Sequence, residues 1–136
     1  MIPARVIVTG DRNWACRELA EMIVSRLLAR FGPGLIIVHG DAAGVDAAFA
    51  AACDELGVEQ ERHPADWDRL GKRAGPIRNA EMVALGAVLC LAVHKRIRFS
   101  KGTKNCSRLA IEAGIPTWLI DNDAGAPKRL RLEDLG

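Results

Sequence analysis

The sequence predicts an α/β fold, a three-layer sandwich built around a mainly parallel sheet of about five strands. Short apolar runs rich in β-branched residues alternate along it with helical patterns. The runs are apolar throughout, not at every second position, so both faces of each strand must be covered. Helices between successive strands supply that cover, one layer on each side of the sheet.

Residues 5–9 (RVIVT) form the first strand, ended by Gly10. A helix follows, because Leu19, Ile23, Leu27 and Phe31 recur every four residues with Ala20, Val24 and Leu28 beside them. Gly32-Pro33-Gly34 breaks it. Residues 35–38 (LIIV) are the second strand, ended by His39-Gly40. The next helix starts near Gly44 and carries Val45, Ala48, Phe49, Ala52, Cys53 and Leu56 on one face. Gly57 stops it, and residues 58–62 are a weaker third strand. Residues 63–76, with Trp67 and several charges, are expected to be loop, and residues 77–85 a short helix. Residues 87–93 are the most hydrophobic run and the expected central strand. A basic loop over 94–101 leads to Gly102-Thr103, where a helical face of Cys106, Leu109, Ala110 and Ala113 begins. Residues 117–120 are the fifth strand. The expected organisation is one Rossmann-like domain over 1–121 and a polar tail over 122–136 that carries Lys128, Arg129 and Arg131.

Composition narrows the function classes. The chain has 136 residues, 49% of them hydrophobic and 26% charged, which is ordinary for one globular domain. A net charge of +2 allows nucleic acid as a partner without asking for it, and 4% aromatic residues argue against a broad base-stacking surface. Cys16, Cys53, Cys90 and Cys106 form no C-x-x-C pair and stand at no zinc-finger spacing to a histidine, so they are read as packing residues. Neither a metal nor a cofactor is expected. The first residues run straight into a strand and no apolar stretch reaches the ~18–20 residues of a span. A cytoplasmic protein without a membrane partner is therefore expected.

In open parallel sheets ligands bind beyond the carboxyl ends of the strands, near the switch in strand order. The candidate site residues stand there. After the first strand Gly10 permits a sharp turn, and Arg12 can pair two phosphate oxygens. After the second, Gly40 and Gly44 make room for a ligand. Asp46 in the first helical turn suits the helix dipole; it is also the candidate catalytic carboxylate, aimed at ribose hydroxyls or a water. Arg78 and Asn79 lie at an expected helix start beside Lys72 and Arg73. Gly102 and Thr103 open the last helix as a compact phosphate seat. No G-x-G-x-x-G and no G-x-x-x-x-G-K-[ST] is present, which disfavours a standard NAD dehydrogenase and a P-loop ATPase.

The order V-T-G-D-R-x-W, V-H-G-D-A-x-G-V-D-x-A, P-A-D-W, A-G-P-I-R-N-A-E-M and K-G-T resembles the YspA-type branch of the SLOG superfamily, from about Arg5 to Pro116. That superfamily also holds the LOG phosphoribohydrolases and the DprA-like proteins. The resemblance implies a nucleotide or nucleotide-derived phosphorylated ligand, ADP-ribose-like in type. It implies pocket roles for Gly10, Arg12, Gly40, Asp46, Arg78, Asn79, Gly102 and Thr103, and self-association as a homodimer, which the sequence itself leaves open. One departure is plain: where LOG enzymes resemble P-G-G-x-G-T-x-x-E, this chain has Cys106 in place of the Glu. Binding of the ligand, for sensing or processing, is the leading function. The alternatives are N-glycosidic hydrolysis of a nucleotide and DprA-like DNA binding by Arg96, Arg98, Lys101 and Lys104.

Overall fold

The computed structural model describes residues 2–136. Its elements are β1 (Ala4–Gly10), α1 (Arg17–Phe31), β2 (Leu35–His39), α2 (Val45–Leu56), β3 (Glu59–Arg62), α3 (Trp67–Leu70), α4 (Ala74–Ala84), β4 (Leu89–Val93), α5 (Gly102–Glu112), β5 (Thr117–Ile120) and β6 (Lys128–Arg129). The sheet runs β3-β2-β1-β4-β5-β6. Strands β1 to β5 are parallel, and β6 adds antiparallel to β5.

Side chains alternate across each central strand, and both faces are buried. Val6 and Val8 face a core shared with α1 and α2, where Leu19, Ile23, Phe49 and Ala52 pack, whereas Ile7 joins Met82, Val83, Cys106 and Ala110 of α4 and α5. Strand β4 repeats the division: Leu89, Leu91 and Val93 face the first core and Cys90 the second. The apolar runs are thus continuous because each strand serves two cores. All four cysteines are buried and free.

The chain leaves β3, crosses the sheet through α3 and α4, and re-enters at β4 beside β1. The strand order therefore switches between β1 and β4, and the loops that follow these two strands diverge to open a crevice.

The five expected strands are present and a short sixth joins them, while two further expectations are revised. The sheet has six strands, because the tail contributes β6, which bonds to Trp118 and Leu119 of β5. Residues 122–136 also bury Leu130 and Leu135 in a third small core with Ala92 and Ile97, so this segment packs as part of the domain. Residues 63–76 are not simply loop: α3 lies within them, and α4 begins at Ala74, three residues before the expected start. Asp66 caps α3 by accepting from the Arg69 amide at 3.3 Å, a local signal that hydrophobic periodicity cannot register in so short a helix.

Candidate functional site

The crevice at the β1–β4 switch is a cleft with two compartments. The larger, about 500 Å³, is walled by Arg12, Lys72, Arg78, His94, Lys101 and Thr103 among others. The smaller, about 310 Å³, is lined by Gly40, Asp41, Ala42, Ala43, Pro64 and Ala65. Arg12, Trp67 and Arg78 border both.

The β1–α1 turn is tied down at its backbone. The Asp11 amide donates to the Val93 carbonyl at 3.1 Å, and the Asp11 carbonyl accepts from the Val45 amide at 2.9 Å. Asp11 Oδ1 accepts from the Asn13 amide at 2.8 Å in an Asx turn. A Cβ on Gly10 would lie 2.5 Å from both Val45 Cγ1 and the Val93 carbonyl, so this glycine lets α2 and β4 close on the strand end. The turn is a rigid mount. Arg12 rises from it, exposed, with its guanidinium 5.0 Å from the centroid of the Trp67 ring.

Arg78 is the centre of a buried network. Its Nη1 donates to the Gly40 carbonyl at 2.7 Å and the His63 carbonyl at 3.3 Å, and its Nε donates to Asn79 Oδ1 at 2.9 Å. Asn79 in turn donates from Nδ2 to the Gly102 carbonyl and to Asn105 Oδ1. One arginine–asparagine pair thereby fixes the loops after β2 and β3 against the start of α5. Gly40 is required by this network, since a Cβ there would run into the Arg78 guanidinium. Burial pushes the Arg78 pKa down, and the Asp46 carboxylate opposes the shift.

Asp46 lies behind the β2–α2 loop, 6% exposed, and lines neither compartment. Its Oδ2 accepts from the amides of Gly40 at 3.1 Å and Ala42 at 3.3 Å, while Oδ1 has no partner among the described residues. Burial pushes its pKa up against the pull of His39, those amides and Arg78. Its observed contacts hold the loop together.

At the start of α5, Ser100 Oγ accepts from the Thr103 amide at 3.1 Å, so that donor is already engaged. The Gly102 amide and the Thr103 hydroxyl have no hydrogen-bond partner among the described residues, and both residues line the larger compartment. A Cβ on Gly102 would meet nothing within 4 Å, so this residue borders open space. The Thr103 carbonyl accepts from Ser107 Oγ at 2.7 Å inside the helix.

The model of the YspA, cpYpsA-related SLOG family (YAcAr) matches residues 4–70. The Gene 61 protein of Mycobacterium phage D29 is 41% identical, over 82% of this chain and 92% of that protein. The chain belongs to the YspA, cpYpsA-related SLOG family. Among solved structures, DNA processing protein A (DprA) from Streptococcus pneumoniae superposes with a TM-score of 0.68 at 20% identity, over 89% of this chain. The likeness is one of fold, and this SLOG chain spans 51% of the length of that structure.

The residues singled out in this SLOG domain meet at one sheet edge. Gly10, Arg12, Arg78, Asn79, Gly102 and Thr103 border the larger compartment, and Gly40 the smaller; Asp46 stands apart from both. Trp67, His94 and Asn105 also line the larger compartment and were not among them. His94 directly follows β4, so the strand-end rule alone would have found it. Its Nδ1 accepts from the Arg96 amide at 2.9 Å, which turns Nε2 toward Asp11 Oδ2, 3.9 Å away. Burial lowers its pKa against the pull of Asp11, and because Nδ1 accepts from the Arg96 amide, the proton of the neutral tautomer sits on Nε2. Cys106, at the position of the LOG-type Glu, is fully buried in the α4–α5 core and does not face the cleft. Among the described residues no group of three or more His, Cys, Asp or Glu could hold a metal ion. No helix among them is long and apolar enough to cross a membrane.

Proposed function

We propose that this domain binds a nucleotide or nucleotide-derived phosphorylated ligand, ADP-ribose-like in type, in the cleft at the β1–β4 switch. One observation carries the reading: Arg12, Lys72, Arg78 and Lys101 border the larger compartment against a single carboxylate, Asp11. A cavity with that charge excess, at the N-terminus of an eleven-residue helix, favours an anion. Phosphates would meet the Gly102 amide, the Thr103 hydroxyl and the Arg12 fork, with Arg78 and Asn79 holding the wall in place. Binding is favoured over N-glycosidic cleavage because Asp46 lies behind the loop and Cys106 faces the core. Among the described residues the cleft then offers Asp11 and His94, with Asp41 in the smaller compartment, as groups for acid–base work.

Arg12→Ala tests the reading, because Arg12 is exposed and its side chain donates no hydrogen bond among the described residues. A charged hydrogen bond contributes about 1.5–3 kcal/mol. Affinity for the best of AMP, ADP, ADP-ribose and NAD should therefore fall by about 10- to 100-fold in calorimetry. Absence of binding by all four at millimolar concentration would refute the proposal, and release of free base over hours would favour the hydrolase.

A second reading, a nucleic-acid strand as partner, is favoured by a separate surface. A groove of about 510 Å³ is bordered by Lys95, Arg96, Arg98, Lys128 and Arg129 against Asp121, which pairs with Lys128 at 3.0 Å, and Asp134, with Phe99 standing 84% exposed at its edge. Cations beside an exposed ring suit a stacked single strand. Retention of an oligonucleotide that falls steeply with salt, and weakens in Phe99→Ala, would support it.

A further inference from the structure

We infer that Trp67 is a base platform: an aromatic base bearing an exocyclic amine stacks on the indole face that Arg12 now covers, in the smaller compartment, while Arg12 turns to the phosphates. This inference rests on the nucleotide reading and specifies its ligand.

Three features of the cleft lead to it. Trp67 is 45% exposed, high for so large an apolar ring, and yet it is held. Its six-membered ring lies against Gly75 of α4, where an added Cβ would come within 3.1 Å of Cη2. The indole is thus braced at its edge and open on a face.

Arg12 occupies that face without a stronger anchor. Its guanidinium sits 5.0 Å from the ring centroid, and its side chain makes no hydrogen bond or ion pair among the described residues. A guanidinium with all its donors free, at the border of a compartment walled by Lys72 and Lys101, is poised to take a phosphate. Its departure uncovers the indole. Base and phosphate recognition are thereby linked, since the anion that draws Arg12 away opens the surface on which the base stacks.

The smaller compartment has the shape and the polar group for a base. Gly40, Ala42, Ala43, Pro64 and Ala65 present no long side chain. Asp41 stands among them at φ 56°, a left-handed conformation uncommon outside glycine. Arg62 donates to its Oδ1 at 2.8 Å, and the His39 ring accepts from its amide at 3.0 Å. The second carboxylate oxygen has no partner among the described residues and can accept from an exocyclic amine.

The test measures AMP, ADP-ribose, IMP and ribose 5-phosphate by calorimetry against the wild type, Trp67→Ala, Trp67→Phe and Asp41→Ala. The wild type should prefer AMP to ribose 5-phosphate by about tenfold or more, the range expected of one stacked base. Trp67→Ala should bring the two within about twofold of each other without weakening ribose 5-phosphate, and Trp67→Phe should restore most of the preference. Asp41→Ala should erase a preference for AMP over IMP. An undiminished AMP preference in Trp67→Ala would overturn the platform and leave the nucleotide reading standing. Equal wild-type affinity for AMP and IMP would remove the amine from the proposal. Binding of neither AMP nor ADP-ribose would overturn both readings together.

Discussion

Gly40→Ala puts the buried network under direct strain. The new Cβ would overlap the Arg78 guanidinium. The backbone has little room to yield, because the Gly40 amide donates to Asp46 and His39 pairs with β3. Arg78 must therefore move, and with it go the bonds from Nη1 to the carbonyls of Gly40 and His63. Charge-assisted hydrogen bonds contribute about 1.5–3 kcal/mol each, and the longer one lies at the weak end, so the expected cost is about 3 kcal/mol. With a urea dependence of about 1–3 kcal/mol/M, the unfolding midpoint should fall by about 1–3 M. Arg78→Ala alone should cost about 3–5 kcal/mol, because it removes the same bonds and leaves Asp46 buried without its nearby cation. That is within the roughly 5–15 kcal/mol of a typical domain. The decisive comparison is the double mutant. If the clash is the cause, Gly40→Ala should cost under about 1 kcal/mol in the Arg78→Ala background, where nothing is left to collide. An equal cost in both backgrounds would refute the reasoning and place the strain in the loop backbone.

Other consequences concern the same scaffold. Glu61 accepts from Arg5 Nε and Nη2, each at 2.9 Å, and these bonds above all hold its pKa at about 2 against an ordinary 4.5. Their stabilisation is therefore complete above about pH 4.5 and is lost as the pH falls through about 2. At about 1.4 kcal/mol per pH unit the ceiling is near ~3 kcal/mol, and 34% exposure of Glu61 brings it to about 1–2. Urea melts of Glu61→Gln should show that deficit at pH 7 and none near pH 2; a constant deficit would mean that charge is not its source. Asp46→Asn keeps an acceptor for the Gly40 and Ala42 amides and should change stability by under about 1 kcal/mol, whereas Asp46→Ala strands them at about 2–3. Product formed from a nucleotide by the wild type and lost in a folded Asp46→Asn would give Asp46 a catalytic role instead. Leu135→Ala should cost about 2–4 kcal/mol, because Leu135 is fully buried. A cost under about 0.5 would mean the tail is dispensable.

The parallel α/β architecture was legible because it rests on local signals. Runs such as Val6-Ile7-Val8 and Leu89-Cys90-Leu91 are apolar at every position only if both faces are covered, and the four-residue recurrence from Leu19 to Phe31 has one helical meaning. The strand-end rule then chose the edge of the sheet, and Gly10, Arg12, Arg78 and Gly102 do border one cleft there. Tertiary structure decided what each of them does. Gly40 is an identity set by Arg78, 38 positions away, and Asp46 meets loop amides behind the cleft. Strand β6 and the burial of Leu135 had no sequence signal because a two-residue strand has no period and a lone leucine in a polar segment shows no face. Trp67 became part of the site only when the chain crossed the sheet and set α3 opposite the β1–α1 turn, within reach of Arg12. Periodicity reports which face of an element is dry; which side chains from different elements share a cavity depends on contacts between distant parts of the chain, and those exist only in the folded molecule.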